Sequence, residues 1–317
     1  MSLHPPRTLR KLFVEAATAK FARNVPDFVH LRQLVADHGG DFLNDHGAVR
    51  SADPAVCELL VRAARVLGLQ RERDYLFPAK RLASFDLQVI GEDPHEFKIF
   101  VSQVDLAAYP PEVAALIRED CAEQAAAVDQ KPFLARIRLA EDAGGLETDD
   151  AEAFVTHFVE RLMTRPGPPL RRSTPEAVAA VSGEAASALA LGPDFNHVTV
   201  DVRAAGFRGI DDMAAAMQQQ GFRLLPAIQG APRSQLRQTA TLAATMDTPV
   251  READGSAGLA QTEKQFVEII ERGQAVEADG TPLWRQDGRP LVFRNFLAAN
   301  AEKIFDAAAT RPSGMTC

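Results

Sequence analysis

Basic charge is scarce in this sequence. Lys and Arg number 35 against 43 Asp and Glu, a formal net charge of -8. A nucleic-acid binder would show a basic surplus or stripe, and none is present. Cysteine is also sparse. Cys57, Cys121 and Cys317 are odd in number and far apart, which suggests neither a disulfide framework nor a cysteine zinc site. No apolar run approaches the roughly 18 residues that span a bilayer, and the opening Met1-Ser2-Leu3-His4-Pro5-Pro6 has no apolar core of signal-peptide length. There is no Walker-type loop, no Rossmann glycine fingerprint and no nucleophile elbow. The chain reads as soluble and cytoplasmic, with no nucleic-acid or membrane partner. Its 317 residues, 46% hydrophobic, are ample for one large core.

The chain is organised around Phe195-Asn196-His197-Val198-Thr199-Val200-Asp201-Val202. Polar and β-branched residues alternate there with the period of a half-buried strand, so His197 shares a face with Thr199 and Asp201. A helix over 210–217 follows, closed by Gly221, and Phe222-Arg223-Leu224-Leu225 begins a second strand. An imidazole on a strand is held rigidly, as a metal ligand must be.

Upstream, Leu9, Leu12, Phe13, Ala16 and Ala17 mark the apolar face of a helix. A second helix over 25–38 stops at Gly39-Gly40; His30 and His38 read as ordinary helix residues. The stretch 41–50 is a short extended segment. In it His46 and Arg50 are four apart and point to one side. One offers a nitrogen ligand and the other a forked cation for a carboxylate. The plainer reading is a surface loop in which Asp45 pairs with Arg50. Asp53-Pro54 opens the next helix, with Val56, Leu59, Leu60, Ala63 and Leu67 as its buried stripe. Strands are expected at 82–90 and 96–104, with a turn at 91–94. The outline of 46–106 thus repeats in 195–270, as pattern rather than as residues.

From 110 to 193 strand signals vanish, and helices are expected at 111–127, 149–163 and 175–190, a helical insert in which His157 is a packing residue. Beyond it, 234–241 reads as a strand with a polar face, Asp254-Gly255 as a turn, and 263–272 as a strand. Glu268, between Val267 and Ile269, faces opposite to both; alone, it fits a solvent face better than a cavity. Two imidazoles and a carboxylate on extended segments suit a mononuclear Fe(II) site with open positions, and zinc could use the same ligands.

The segments FLNDHGAVR, FNHVTVDV, LRQTAT, FVEIIERG and FRNFLAANAEKIF, in order from about residue 8 to 307, resemble the 2-oxoadipate dioxygenase/decarboxylase (hydroxyglutarate synthase) family, formerly a domain of unknown function. That family is related in fold to the vicinal oxygen chelate superfamily. The resemblance implies an α+β fold: βαβββ modules forming a partly open β-barrel around a metal, with N-terminal helices and a helical insert. One catalytic domain, 1–317, is expected, with a first β module to 109, the insert at 110–193 and a second module at 194–317. The resemblance implies Fe(II) ligands at His46, His197 and Glu268. It sets His46 and Arg50 against the substrate and gives Arg50 the catalytic part of binding a substrate carboxylate. It also implies chelation of a 2-oxo acid, loss of CO2 and hydroxylation of the shortened acid, with both atoms of O2 ending in products. From position alone, Arg237, Gln238 and Val292 are candidate pocket walls. The competing readings are a glyoxalase-like isomerase, an aromatic 2-oxo acid dioxygenase and a non-catalytic binding module.

Overall fold

The computed structural model describes residues 3–305 apart from 92 and 94. The turn expected at 91–94 is therefore only partly described, and Cys317 lies outside the described residues. In chain order the elements are β1 (Leu3–His4), α1 (Pro6–Asn24), α2 (Pro26–Asp37), β2 (Asn44–Ser51), α3 (Pro54–Val66), β3 (Gln70–Phe77), β4 (Leu82–Gln88) and β5 (Lys98–Val104). Next come α4 (Pro111–Ala126), α5 (Lys131–Ala143), β6 (Leu146–Glu147), α6 (Thr148–His157), β7 (Leu170–Arg171), α7 (Ser173–Ala179) and α8 (Gly183–Leu191). The last third holds β8 (Phe195–Asp201), α9 (Ile210–Gln219), β9 (Leu236–Ala240), β10 (Ala244–Arg251), β11 (Ala257–Arg272) and α10 (Ala298–Ile304).

The main sheet runs β3-β4-β5-β2-β8-β11-β10-β7, with β9 pairing on β11. Its first half, β2-α3-β3-β4-β5, is a βαβββ module. Its second half begins again with β8 and α9 and ends on β9 and β11. The two halves join where β2 runs antiparallel to β8. The result is a mixed α+β fold with a sheet curled into a half-barrel, as expected from the resemblance.

Local chemistry explains the elements. Asp53 caps α3 by accepting from the Ala55 N–H at 2.8 Å, with Pro54 at the first helical position. Gly68, at φ +77°, turns the chain out of that helix. Asp211 and Asp212 favour the N-terminal turn of α9. In the sheet, alternation sorts the residues. Val49, Val198, Val200, Val267 and Ile269 face the large core that contains Phe13, Phe28, Leu31 and Leu60 from α1, α2 and α3. Ala48 and Phe100 face the opposite, concave side, where α8 contributes Ala185 and Leu189.

Some expectations fail for identifiable reasons. Phe222–Leu225 forms no regular strand; Leu224 makes only an isolated bridge to Thr241. Pro226 follows immediately and has no N–H to extend the ladder. β3 was not foreseen, because Gln70-Arg71-Glu72-Arg73-Asp74 is polar throughout. It lies at the sheet edge, where five consecutive exposed side chains are tolerated and charge discourages further pairing. β10 and α5 were also unforeseen, and β11 starts at Ala257 rather than near 263. None of His30, His38 and His157 joins the donor cluster, and each ring stacks on a phenylalanine: His30 on Phe222, His38, at the end of α2, on Phe207, and His157 on Phe133. Among the described residues no helix is long and apolar enough to cross a membrane.

Candidate metal centre

His46, His197 and Glu268 come from β2, β8 and β11, three adjacent strands at the middle of the sheet. Register brings them together. Thr199 on β8 lies opposite His46 on one side and Glu268 on the other, and His197 lies opposite Ala48 and Phe266. One candidate donor atom from each of the three lies within 4.8 Å of the others. His46 Nε2 and His197 Nε2 each stand 3.3 Å from the same oxygen, Oε2 of Glu268. All three residues are at most 5% exposed. Glu268 thus faces a cavity rather than solvent, contrary to the expectation for that residue taken alone; Phe296, Ile304 and Phe305 cover its face of β11, while Val267 and Ile269 on the other face pack into the large core.

A β-bulge builds the support around His46. The β2–β8 register slips between Asn44 and His46, leaving Asp45 as an extra residue. Such an insertion re-aims a side chain. Asp45 Oδ1 lies 2.9 Å from His46 Nδ1. Arg272, at the end of β11, donates to both oxygens of Asp45, through Nε at 2.6 Å and Nη2 at 2.7 Å. Lys98 Nζ is 3.6 Å away. Asp45 therefore pairs with Arg272 and Lys98, not with Arg50, and the surface-loop reading of this stretch falls. With Nδ1–H donated to Asp45, His46 presents Nε2 to the centre, the usual way a carboxylate fixes a ligating imidazole. Thr199 Oγ1 completes the cluster, donating to Glu268 Oε2 at 2.7 Å and lying 3.0 Å from His46 Nε2.

The electrostatics follow from burial and pairing. Burial would raise the Glu268 carboxyl, but the His197 and His46 imidazoles beside it more than offset this and hold the group down at about 2. Burial likewise opposes the Asp45 charge, and Arg272 and Lys98 more than offset it, so this carboxyl stays well below its ordinary value. Burial lowers the Lys98 ammonium to about 8 despite Asp45. His197 is pushed down by burial, which keeps its imidazole neutral and ready to ligate. An anionic carboxylate beside two imidazoles is a donor set that fits a divalent metal, and no further donor among the described residues joins it.

Phe100, Gln238, Phe296, Ala301, Ile304 and Phe305 close a small cavity of about 20 Å³ over the three donors. Gln238 lies on its wall as expected. Arg237 does not: neighbours on β9 face opposite ways, and Arg237 binds Asp211 at 2.6 Å instead. Val292 lies on a separate outer groove with Arg73 and Arg294, beyond Phe296. Arg50, 4% exposed, sits with its guanidinium carbon 5.2 Å from the ring of Phe305. It makes no ion pair among the described residues, and its Nε has no hydrogen-bond partner.

The family profile described as 2-oxoadipate dioxygenase/decarboxylase matches residues 13–288. The chain belongs to this family. A relative from Mycobacterium tuberculosis (strain H37Rv), called 2-oxoadipate dioxygenase/decarboxylase, is 24% identical, covering 96% of this chain and 88% of its own. Among solved structures, a putative glyoxalase superfamily protein from Ralstonia eutropha JMP134 superposes with a TM-score of 0.77 at 18% identity, covering 86% of this chain and 85% of that one. Hydroxyglutarate synthase from Pseudomonas putida, in complex with 2-oxoadipate, gives a TM-score of 0.70 at 21% identity, covering 88% of this chain and 67% of its own. At these identities the structural likenesses establish the shared fold.

Sequence reading missed the support around the three candidate donors. Asp45, Lys98, Thr199 and Arg272 hold the site, yet only the adjacency of Asp45 to His46 was a signal; Arg272 reaches Asp45 across 227 positions.

Proposed function

We propose that this protein is an Fe(II)-dependent dioxygenase that oxidatively decarboxylates a 2-oxo diacid. The substrate to test first is 2-oxoadipate, converted with O2 to 2-hydroxyglutarate and CO2, as a cytoplasmic step of lysine catabolism. The observation that carries this reading is a three-donor centre beside a buried guanidinium that makes no close ion pair among the described residues and whose Nε has no hydrogen-bond partner. Such a guanidinium calls for an anion, and a planar fork suits a carboxylate.

His46, His197 and Glu268 would hold the metal. Ferrous iron held there would supply the one-electron chemistry that lets dioxygen react with a 2-oxo acid. The protein's own groups do the rest. Asp45 keeps the Nδ1 proton of His46, so Nε2 keeps its lone pair for the ion. Thr199 orients the Glu268 carboxylate. Arg50 fixes the end of the acid that is not reacting. Phe100, Phe296 and Phe305 exclude water, which strengthens each of these contacts. The overall change balances: six carbons become five plus CO2, and both oxygen atoms of O2 are retained in the products.

The test is reconstitution with Fe(II) without oxygen, followed by oxygen uptake over a panel of 2-oxo acids. Uptake matched to 2-oxoadipate loss is expected. His197→Ala and Glu268→Ala should lose iron while keeping the fold; Arg50→Ala should keep iron and lose turnover. An isomerase would consume no oxygen. Stoichiometric iron in both ligand variants would refute the donor assignment.

A further inference from the structure

The cavity over the three donors is smaller than any acid that could bind a metal there. Its volume of about 20 Å³ holds little more than one water molecule. Even oxalate, the shortest acid that binds an ion through two carboxylates, has several times as many atoms. A wall of the cavity therefore moves before a ligand reaches the donors.

Most walls are fixed. The donors lie on β2, β8 and β11, each paired to strands on both sides. Phe100 lies on β5 between β2 and β4, and Gln238 lies in the β9 ladder with β11. Ala301 and Ile304 are on α10, and Phe305 is at its end. Asn300 ties that helix down, donating from Nδ2 to the Leu236 carbonyl at 3.1 Å. Phe296 belongs to no helix or strand. The backbone just before it is anchored: Arg272 donates to the carbonyls of Phe293 and Asn295 at 3.1 and 3.0 Å, and Asn295 Oδ1 accepts from Gln88 Nε2 at 3.0 Å. The side chain of Phe296 is what remains to move.

Its ring stands 4.8 Å from that of His46, nearly perpendicular at 88°, and 4.9 Å from that of Phe100. These are edge and face contacts between rings, with no side-chain hydrogen bond to break. On its far side lies the outer groove, about 480 Å³, a volume within the range of ligand sites. Of the residues that line the small cavity, Phe296 alone also lines that groove. Rotation of this one ring joins the two spaces.

We infer that the outer groove is the entrance to the metal centre and that the Phe296 ring is its gate. Small organic acids collect in the groove and reach the donors only while the ring is turned away from His46. This rests on the reading that the three donors hold a metal, and it holds whether or not the substrate is a 2-oxo diacid.

The experiment loads the full chain with Co(II), whose visible spectrum responds to new ligands, and mixes it rapidly with oxalate or with 2-oxoadipate. In the wild-type protein the observed rate should rise with acid concentration and then level off at one ceiling shared by both acids, the rate of ring movement. Phe296→Leu should raise that ceiling about tenfold and leave the ligand-free spectrum unchanged. Phe296→Met takes its place if a thermal melt shows the leucine variant unfolded. Val292→Trp fills the groove at a residue that does not line the donor cavity, and it should slow both acids severalfold. Rates that climb without a ceiling in the wild type overturn the gate, as does a ceiling unmoved by the Phe296 variant. Wild-type speed in Val292→Trp overturns the entrance. A changed ligand-free spectrum with an unmoved ceiling assigns Phe296 to the support of His46 and also overturns the proposal. Failure of the wild type to take up Co(II) overturns the donor assignment together with it. A gated response to oxalate with none to 2-oxoadipate supports the gate and refutes the diacid reading alone.

Discussion

Replacing Asp45 with Asn tests whether the support behind His46 is as tightly coupled as its geometry indicates. Asp45 is 0% exposed and faces three cationic or protic partners: Arg272 at 2.6 and 2.7 Å, His46 at 2.9 Å and Lys98 at 3.6 Å. Arg272 and Lys98 are 2% and 1% exposed, so the substitution strands two buried positive charges. Removing one partner of a buried ion pair costs about 3–5 kcal/mol. The Asn oxygen still accepts one bond, and Arg272 still donates to the carbonyls of Phe293 and Asn295, so the lower end, about 3 kcal/mol, is expected. With a urea slope of about 3 kcal/mol/M, the midpoint should fall by roughly 1 M. The sign with pH also follows. The Asp45 pKa is depressed, so its contribution is present above the unfolded value of 3.8 and fades only as pH falls through the still lower folded value. Metal affinity should drop about tenfold to a hundredfold, because His46 loses its orienting acceptor. Urea melts of the metal-free protein and a chelator-competition titration read the two effects separately. The double variant Asp45→Asn/Arg272→Met should recover part of the stability, since one stranded charge is gone. A loss below about 1 kcal/mol with unchanged metal affinity would refute the coupling.

Two further outcomes are expected. A Cβ added at Gly47 would lie 2.4 Å from the ring of Phe195, which is fully buried and packed against Phe13 and Phe97, so Gly47→Ala should destabilise by about 1–3 kcal/mol in chemical denaturation; an unchanged midpoint would show that this ring can yield. Asp86, 0% exposed, is pushed above its ordinary 3.8 by burial, although it accepts from the Tyr75 hydroxyl at 2.8 Å. A raised carboxyl favours the fold below the unfolded value and loses that contribution as pH rises through the folded one, so urea midpoints of Asp86→Asn relative to wild type should shift in favour of the variant as pH rises above the unfolded value of 3.8; a shift the other way contradicts the reasoning.

What could be read from the sequence depended on how locally each feature is encoded. The strand around His197 was legible because alternation is a short-range signal and Val198, Val200 and Val202 mark the core face. His46 was visible as a ligand candidate, but its partner carboxylate was not: the bulge that turns Asp45 onto it depends on pairing with β8. Glu268 illustrates the same limit. Alternation separates it from Val267 and Ile269 but cannot say whether its face of β11 is covered, and that is decided by Phe296, Ile304 and Phe305, which come from some thirty residues further along the chain. The edge strand β3 was missed because exposure frees its sequence from any apolar period. Gln238 and Arg237 were ranked together by position; only the pleat of β9 separates the cavity residue from the surface ion pair. Val292 was placed at the pocket because it adjoins a family segment, yet Phe296 stands between it and the donors.

The three donors straddle the join between the repeated halves of the sheet: one imidazole comes from the first half, the other imidazole and the carboxylate from the second. Neither half therefore owns a complete coordination set, and an ion bound there acts as a rivet through the seam between β2 and β8. Occupancy and the mutual grip of the two halves are then one equilibrium, so any ligand that tightens around the ion also clamps the sheet at its midline.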